Sequence, residues 1–245
     1  MNSFHLKRKT YYFIAMLATY INAAAIILGT IIGLLFRKVI SDRIKLIVFQ
    51  ASGLATMFMG ILMIMKSKET VLSVFAIILG GMVGELLRLE QGLEKTGKWL
   101  KSKMSRKEDN PHFTEGFVNA STTFCIGAMA ILGSINASAG SYEIILTKSI
   151  MDGSISVIFA AVMGFGVGFS AFLVLIYQGA ITLLASKLVF IKNIMYLNEI
   201  SAVGGILILG IGFNLLDIKR IRVANFIPAI FFIILFIYIK LTYFA

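Results

Sequence analysis

Long apolar stretches separated by short polar connections form the main pattern of this 245-residue chain. A helix that crosses a bilayer needs roughly 20 predominantly apolar residues, and most of the stretches reach or approach that length. They are 18–36, 46–65, 71–87, 117–135, 154–168, 171–188, 200–216 and 225–243. The pattern predicts an all-α integral membrane protein with seven or eight transmembrane helices.

The number of spans depends on residues 154–186, which contain no charged side chain. A straight helix of that length would reach about 50 Å at 1.5 Å per residue, whereas the hydrocarbon core is about 30 Å thick. The segment from Gly164 to Ser170 reads GFGVGFS and is the natural break. Two short helices give eight spans, and a single tilted helix or a re-entrant pair is the alternative.

Composition supports this class. Hydrophobic residues make up 58% of the chain, charged residues 14%, and the mean hydropathy is +0.91. Soluble domains contain about 25% charged residues. The surplus apolar surface must therefore face lipid.

Lysine and arginine predict the orientation, because cytoplasmic loops are enriched in both. With eight spans, 37–45, 88–107 and 217–224 lie on one side and hold 14 of the 23 basic residues. That side is expected in the cytoplasm of a bacterial inner membrane, with both termini outside. The tract Lys7-Arg8-Lys9 argues against this orientation. A basic start before an apolar run also resembles a signal peptide, but the run is long and favours a retained span.

The chain is expected to form a single membrane domain, 18–245, after an N-terminal extension, 1–17. The hydrophilic segment 88–107 carries apolar residues at helical spacing, with lysines mainly off that stripe. This pattern is typical of an amphipathic helix on the cytoplasmic leaflet, with its lysines near anionic lipid. A solvated connector is the alternative.

Two segments in different parts of the chain resemble each other. IILGGMVGELL at 77–87 and ILILGIGFNLL at 206–216 share four of eleven positions, and Glu85 aligns with Asn214. Gln50 and Gln178 also occupy matching positions in the second and sixth spans. The echo predicts two related four-helix halves, 18–135 and 154–245, as in transporters built from repeats.

Several motifs together resemble the bacterial YqgA/YdfK-type membrane proteins, also called domain of unknown function 554. They include NAAAIILGTIIGLLFRKVISDRIK at 22–45, ILGGMVGEL at 78–86, KSIMDG at 148–153, YQGAITLLA at 177–185 and EISAVGGILILGIGFNLLDIKRIRVANFIPA at 199–229. The resemblance implies an inner-membrane protein, often described as a transporter, with no assigned substrate. The family pattern begins near Ala18, so the segment 1–17 departs from it.

Polar residues inside apolar runs are candidates for a transport pathway or ion site, because they are costly in hydrocarbon unless paired or hydrated. The candidates are Glu85, Gln50, Asn119, Thr123, Gln178 and Asn214. Two more carboxylates, Asp152 and Glu199, precede the fifth and seventh spans and are candidate gate or interfacial residues. Structural alternatives remain: Glu85 is spaced for a salt bridge with Arg88, Asn119 and Thr123 for helix packing, and Asp152 for a pair with Lys148.

Enzymatic signatures are missing from the sequence. The single cysteine, Cys125, allows no thiolate cluster, and His5 and His112 lie outside the apolar runs. We therefore expect no enzyme, metal site, cofactor or nucleic-acid partner. The favoured hypothesis is a transporter or channel for a small solute or ion, forming a homodimer. The alternative is a non-transporting scaffold or sensor that binds a partner through the basic 88–107 helix.

Overall fold

The computed structural model describes residues 2–39, 41–104, 112–125, 128–138 and 141–243. The ten α-helices within them are α1 (Asn2–Val39), α2 (Asp42–Ile64), α3 (Thr70–Leu86), α4 (Leu89–Met104), α5 (Phe113–Cys125), α6 (Ala128–Ser138), α7 (Glu143–Met163), α8 (Ser170–Leu184), α9 (Ile194–Leu215) and α10 (Ala229–Tyr243). Short 3₁₀ helices occupy Phe165–Phe169, Ala185–Lys187, Val189–Lys192 and Val223–Phe226. The predicted all-α class is confirmed.

Five apolar helical segments are long enough to cross a membrane in the part of the chain that the structure describes. They are Met16–Arg37, Glu143–Met163, Phe165–Leu184, Ile194–Leu215 and Val223–Tyr243. Two bent pairs bring the number to seven: α3 with α4, bent by 52°, and α5 with α6, bent by 59°. A shorter apolar helix, Gln50–Ile64, lies within α2.

The expected break between the fifth and sixth apolar stretches is confirmed. Helix α7 ends at Met163, and Gly164 follows with φ 85°, a left-handed backbone conformation that side chains other than glycine rarely adopt. Residues Phe165–Phe169 form a 3₁₀ helix before α8 begins. The chain therefore turns back here.

Two predicted boundaries are wrong. The fifth span was placed at 154–168, but α7 begins at Glu143, so Lys148 and Asp152 lie inside the helix. The two charges shortened the apolar run in the sequence, yet they neutralise each other in the fold. The fourth span, predicted over 117–135, begins earlier, at Phe113, and consists of the bent pair α5 and α6.

The direction of each helix follows from its closest approaches. Helix α1 runs parallel to α7, since Gly29 lies against Gly153 and Gly33 against Val157. It runs antiparallel to α8, since its Thr30 lies near the start of α8, beside Gly168.

Equivalent approaches make α2 antiparallel to α9, and α3 antiparallel to α10. If α2 and each bent pair are counted once, eight segments alternate in direction. The last turns of α3 and α9 lie at one end of the bundle, together with α4. We call this end the basic side and the opposite end, where α10 finishes, the terminal side.

Backbone contact between helices depends on missing side chains. A methyl group on Gly29 would lie 2.1 Å from the Gly153 carbonyl oxygen, and one on Gly84 would lie 1.7 Å from the Asn225 carbonyl oxygen. Small residues that permit such approach are the usual packing device of membrane helices, where lipid removes the hydrophobic drive for association.

The N-terminal residues form no separate element, because α1 begins at Asn2 and continues to Val39. The predicted helix within 88–107 is present as α4, and its Gly97 packs against Phe117 of α5. Residues 105–107 of the predicted 88–107 segment lie outside the described part of the chain.

Candidate functional site

An ion pair lies within α7. The ammonium group of Lys148 contacts a carboxylate oxygen of Asp152 one helical turn later, as the spacing predicts. Only 7% of the Lys148 side chain and 8% of the Asp152 side chain is exposed. Asp152 is nine residues from the start of α7, about 14 Å along its axis. The pair is therefore deep in an apolar helix, where charges are rare and usually functional.

Two amide side chains complete this arrangement from neighbouring helices. The Nδ2 of Asn22 in α1 donates to Asp152 Oδ2 at 3.0 Å and to Gln178 Oε1 in α8 at 3.1 Å. Both amides are fully buried. We call these four residues, Lys148, Asp152, Asn22 and Gln178, the ion-pair cluster.

A cavity of about 280 Å³ borders the ion pair on the other side of α7, and we call it the membrane cavity. Its walls come from α2, α5, α6, α7 and α9 and are mostly apolar. Hydroxyl groups of Thr56, Thr123 and Ser201 interrupt the apolar surface, and Lys66 lines the cavity at the terminal side. Lys148 and Asp152 are thus part of the wall of the membrane cavity.

A second cavity, of about 570 Å³, lies on the basic side, and we call it the polar vestibule. Its lining includes Glu90, Glu94, Lys98, Asn119, Asn214 and Arg220. Burial raises the pKa of the Glu90 carboxyl above its ordinary value, while a hydrogen bond from the Ala224 N–H at 2.8 Å opposes the shift.

One turn of α5 lies between the two cavities. Asn119 lines the polar vestibule, and Thr123 lines the membrane cavity. The Thr123 hydroxyl donates to the Asn119 carbonyl oxygen at 2.8 Å, and the Asn119 amide contacts the Met163 sulfur at 3.8 Å. Asn119 and Thr123, predicted on one face of their helix, are thus both next to a cavity.

Of the remaining predicted site residues, Asn214 lines the polar vestibule, whereas Glu85 and Gln50 line neither of the two cavities. Glu85 is half exposed on the basic side, where it binds Arg222 at 2.7 Å and Asn225 at 2.6 Å, not Arg88. Asn214 bonds the backbone of Ile221 through both its amide atoms, which closes the turn after α9. Gln50 is exposed on α2 and lies apart from Gln178 in the ion-pair cluster.

Hydrogen bonds of the Glu199 carboxylate join α9 to the start of α3. Glu199 is fully buried in α9 and accepts hydrogen bonds from the backbone N–H groups of Lys68 and Glu69, at 2.6 and 3.0 Å, and from the hydroxyls of Ser67 and Ser73. These donors surround the start of α3. The sequence predicts that Glu199 precedes the seventh span, but α9 begins at Ile194, so Glu199 lies inside this helix and its carboxylate stabilises the start of α3.

From the sequence, Lys148 is predicted only as a salt-bridge partner of Asp152, and Asn22 is not predicted as a site residue. The available signal was the pair of opposite charges four residues apart beside a long apolar run, which predicts an ion pair but gives no burial. Among the described residues, no three His, Cys, Asp or Glu side chains are grouped as metal ligands.

The helical architecture, the apolar spans and the buried charges define an integral membrane protein. Over residues 17–238 the sequence matches the family described as "Protein of unknown function (DUF554)". The chain belongs to this family.

Two relatives cover nearly the same residues. The chain is 36% identical over 220 residues to the "Uncharacterized membrane protein YdfK" of Bacillus subtilis, which covers 88% of this chain and 93% of the relative. It is 29% identical over 219 residues to the "Uncharacterized protein YqgA" of Escherichia coli, with the same coverage. No solved structure matches the chain.

Proposed function

We propose that this protein transports a small solute or ion along a route that joins the membrane cavity to the polar vestibule. The observation that carries the proposal is the buried Lys148–Asp152 pair on the wall of the membrane cavity. Ionisable groups inside a membrane are costly, and they are typical of substrate and ion pathways.

The ion-pair cluster is the proposed binding and coupling site. A solute with a charged group competes for one member of the pair, and the freed partner then binds the solute or a coupling ion. The turn from Asn119 to Thr123 is the proposed barrier between the two cavities. The long contact of the Asn119 amide with the Met163 sulfur suits a segment that must rearrange during transport.

The proposed orientation places the basic side in the cytoplasm of a bacterial inner membrane. Eight alternating segments put Lys219, Arg220 and Arg222 on the same side as α4, in agreement with the enrichment of basic residues in cytoplasmic loops. Both termini are then outside.

Two related halves are part of the proposal. Helices α3 and α9 end alike: Arg88 has φ 54°, and Asp217, which aligns with it in the sequence echo, has φ 53°. The residue before each of them makes the last hydrogen bond of the helix. The Leu87 N–H donates to the Val83 carbonyl oxygen, and the Leu216 N–H donates to the Gly212 carbonyl oxygen. The echo in sequence thus extends to the backbone at these helix ends.

A transport assay tests the function. Full-length protein in liposomes is offered a panel of inorganic ions and small organic solutes, with and without imposed proton and sodium gradients. We expect uptake of at least one solute, with the rate reduced at least about tenfold by Asp152→Asn. Glu85→Gln, outside both the ion-pair cluster and the membrane cavity, is the matched carboxylate control. Absence of uptake across the panel, or full activity of Asp152→Asn, would falsify the proposal.

Cysteine labelling tests the route. In a Cys125→Ser background, Met59→Cys places a thiol on the membrane cavity, whereas Phe58→Cys places one on the exposed outer face of α2. A charged thiosulfonate reagent should label the first and spare the second, because a thiolate does not form in hydrocarbon. Equal labelling of the two positions argues against the route.

A scaffold or sensor is the second candidate, because Trp99 is 58% exposed on the lysine-rich helix α4. That surface fits an anionic lipid headgroup or an acidic partner. Deleting α4 would also remove Glu90 and Glu94, which bond Ala224 and Arg220. The sharper test replaces the exposed Lys95 and Lys103 with Gln: unchanged uptake with lost membrane-surface or partner binding would assign that role to α4.

A further inference from the structure

A row of buried polar side chains continues from the ion-pair cluster between α1 and α8. Its members are Thr19, Asn22, Gln178 and Thr182, and each is fully buried. We call this row the polar seam. It contacts Asp152 through Asn22, on the side of α7 away from the membrane cavity.

The polar seam leads from Asp152 towards the terminal side. Thr19 lies one turn before Asn22 in α1, and Thr182 lies one turn after Gln178 in α8. Because the two helices are antiparallel, both threonines are displaced in the same direction. The contact of Met16 with the position of Gly179, at 3.4 Å, shows that these helix faces meet.

Four polar atoms of the seam have no hydrogen-bond partner among the described residues: Thr19 Oγ1, Asn22 Oδ1, Gln178 Nε2 and Thr182 Oγ1. The amide orientations follow from Asp152. The Asp152 carboxylate requires a donor, so Asn22 points its Nδ2 at Asp152 and its Oδ1 away from it. The same Nδ2 donates to Gln178 Oε1, and the Nε2 of Gln178 is therefore left without a partner among the described residues.

A buried threonine elsewhere in α1 has a hydrogen-bond partner, unlike the two threonines of the seam. The Thr30 hydroxyl, also in α1, donates to the Ile26 carbonyl oxygen at 2.8 Å, which is the usual solution for a threonine in an apolar helix. An unpartnered buried polar group costs about 1–3 kcal/mol. Four such groups in one row therefore point to a ligand that satisfies them.

The chemistry of the four atoms identifies that ligand. One amide donor, one carbonyl acceptor and two hydroxyls suit water, which both donates and accepts, and buried water typically bonds such orphan groups. A bare metal cation would be repelled by the Gln178 amide donor.

We propose that the polar seam holds ordered water that conducts protons between the terminal side and Asp152. A proton arriving through the seam binds a carboxylate oxygen of Asp152 and forms an O–H bond. The carboxyl group becomes neutral, and the Lys148 ammonium is released towards the membrane cavity. Departure of the proton along the same row restores the ion pair.

This inference rests on the proposed function and names its coupling ion. Other ionisable groups around Asp152 in the described chain are Lys148 on α7, Lys66 across the membrane cavity, and the Cys125 thiol, which interacts electrostatically with both members of the pair. The phenol of Tyr177 in turn interacts with that thiol. None of these groups lies in the seam, so Asp152 is its proton acceptor.

Infrared difference spectroscopy tests the proposal without a transported solute. Full-length protein in liposomes is subjected to pH jumps, and the carboxylic-acid band that disappears in Asp152→Asn is assigned to Asp152. We expect the double variant Thr19→Val/Thr182→Val to form this band at least about tenfold more slowly than the native protein. Valine keeps the shape of threonine, so the fold should persist.

Thr30→Val is the matched control, since it removes a hydroxyl of α1 that already has a partner. It should leave the rate unchanged. Native kinetics in the double variant, equal slowing in Thr30→Val, or no Asp152 band in the native protein would each overturn the proposal. A slowed band in the double variant without solute uptake by the native protein would support the seam and reject transport.

Discussion

Lys148 and Asp152 contact each other inside α7, with less than a tenth of either side chain exposed, and Asn22 of α1 donates a hydrogen bond to the same carboxylate oxygen. Two charges and an amide thus meet within an apolar bundle. The pair lies between the mostly apolar membrane cavity on one side and the polar seam on the other. Replacing both members of the pair should therefore restore stability that either single substitution removes, but should not restore transport.

Single substitutions of the pair should destabilise the protein more than the double substitution. Lys148→Met or Asp152→Asn leaves one buried charge without its partner, at a cost of about 3–5 kcal/mol. The double variant removes both charges and should regain most of that loss. Reversible unfolding of purified protein in mixed micelles measures the cycle. Single variants as stable as the native protein would contradict it. Transport should be lost in all three variants.

Glu199→Gln should lower the free energy of unfolding by about 2 kcal/mol, because the carboxylate accepts charged hydrogen bonds from the start of α3. Reversible unfolding in mixed micelles, as for the ion pair, measures this loss. Glu143→Gln, at the exposed start of α7, is the control and should change stability by no more than about 0.5 kcal/mol. A gate role for Glu199 would instead show as lost transport with native stability.

Gly29→Ala should destabilise the packing of α1 on α7. The added methyl group would lie 2.1 Å from the Gly153 carbonyl oxygen, so the helices must separate, at a cost of about 1–3 kcal/mol. Gly92→Ala is the opposite case. No atom lies within 4 Å of its added methyl group, and alanine should stabilise α4 by up to about 1 kcal/mol. Thermal unfolding in detergent should move in opposite directions for the two variants.

Glu85→Gln should have little effect. The carboxylate pairs with Arg222 near the helix end, where 54% of the Glu85 side chain is exposed, and exposed pairs contribute about 0–1 kcal/mol. Uptake rates and unfolding should both remain close to native. A loss of transport comparable to that of Asp152→Asn would return Glu85 to the pathway predicted from the sequence.

The class of protein could be predicted from the sequence because it depends on composition and run length. Apolar stretches long enough to cross a bilayer must be helical in lipid, since each backbone polar group needs an internal partner. The break at Gly164 could also be predicted, because it depends only on the glycine-rich residues at that position. The start of α7 was missed because sequence rules treat Lys148 and Asp152 as the end of an apolar run.

The site was only partly predictable. Gln178, Asn119 and Thr123 were candidates from the sequence because polar residues within apolar runs stand out along the chain, and the structure places each of them in the ion-pair cluster or beside a cavity. Their partners did not stand out in the sequence. Gln50 was matched with Gln178 in the sequence, but its side chain is exposed. Glu85 was a candidate for the transport pathway, but it forms a salt bridge with Arg222. Whether a polar side chain faces lipid, water or another polar group depends on helix rotation and pairing.

By itself the sequence determined that the chain is an all-helical membrane protein and that it breaks at Gly164, since these follow from hydropathy and glycine within short windows. Only the tertiary structure decided that Asn22, 130 residues before Asp152, donates to the carboxylate oxygen that Lys148 also contacts. The reason is physical: a buried charge is tolerated only where distant helices bring donors to it, and glycine contacts such as Gly29 on Gly153 set how closely those helices approach.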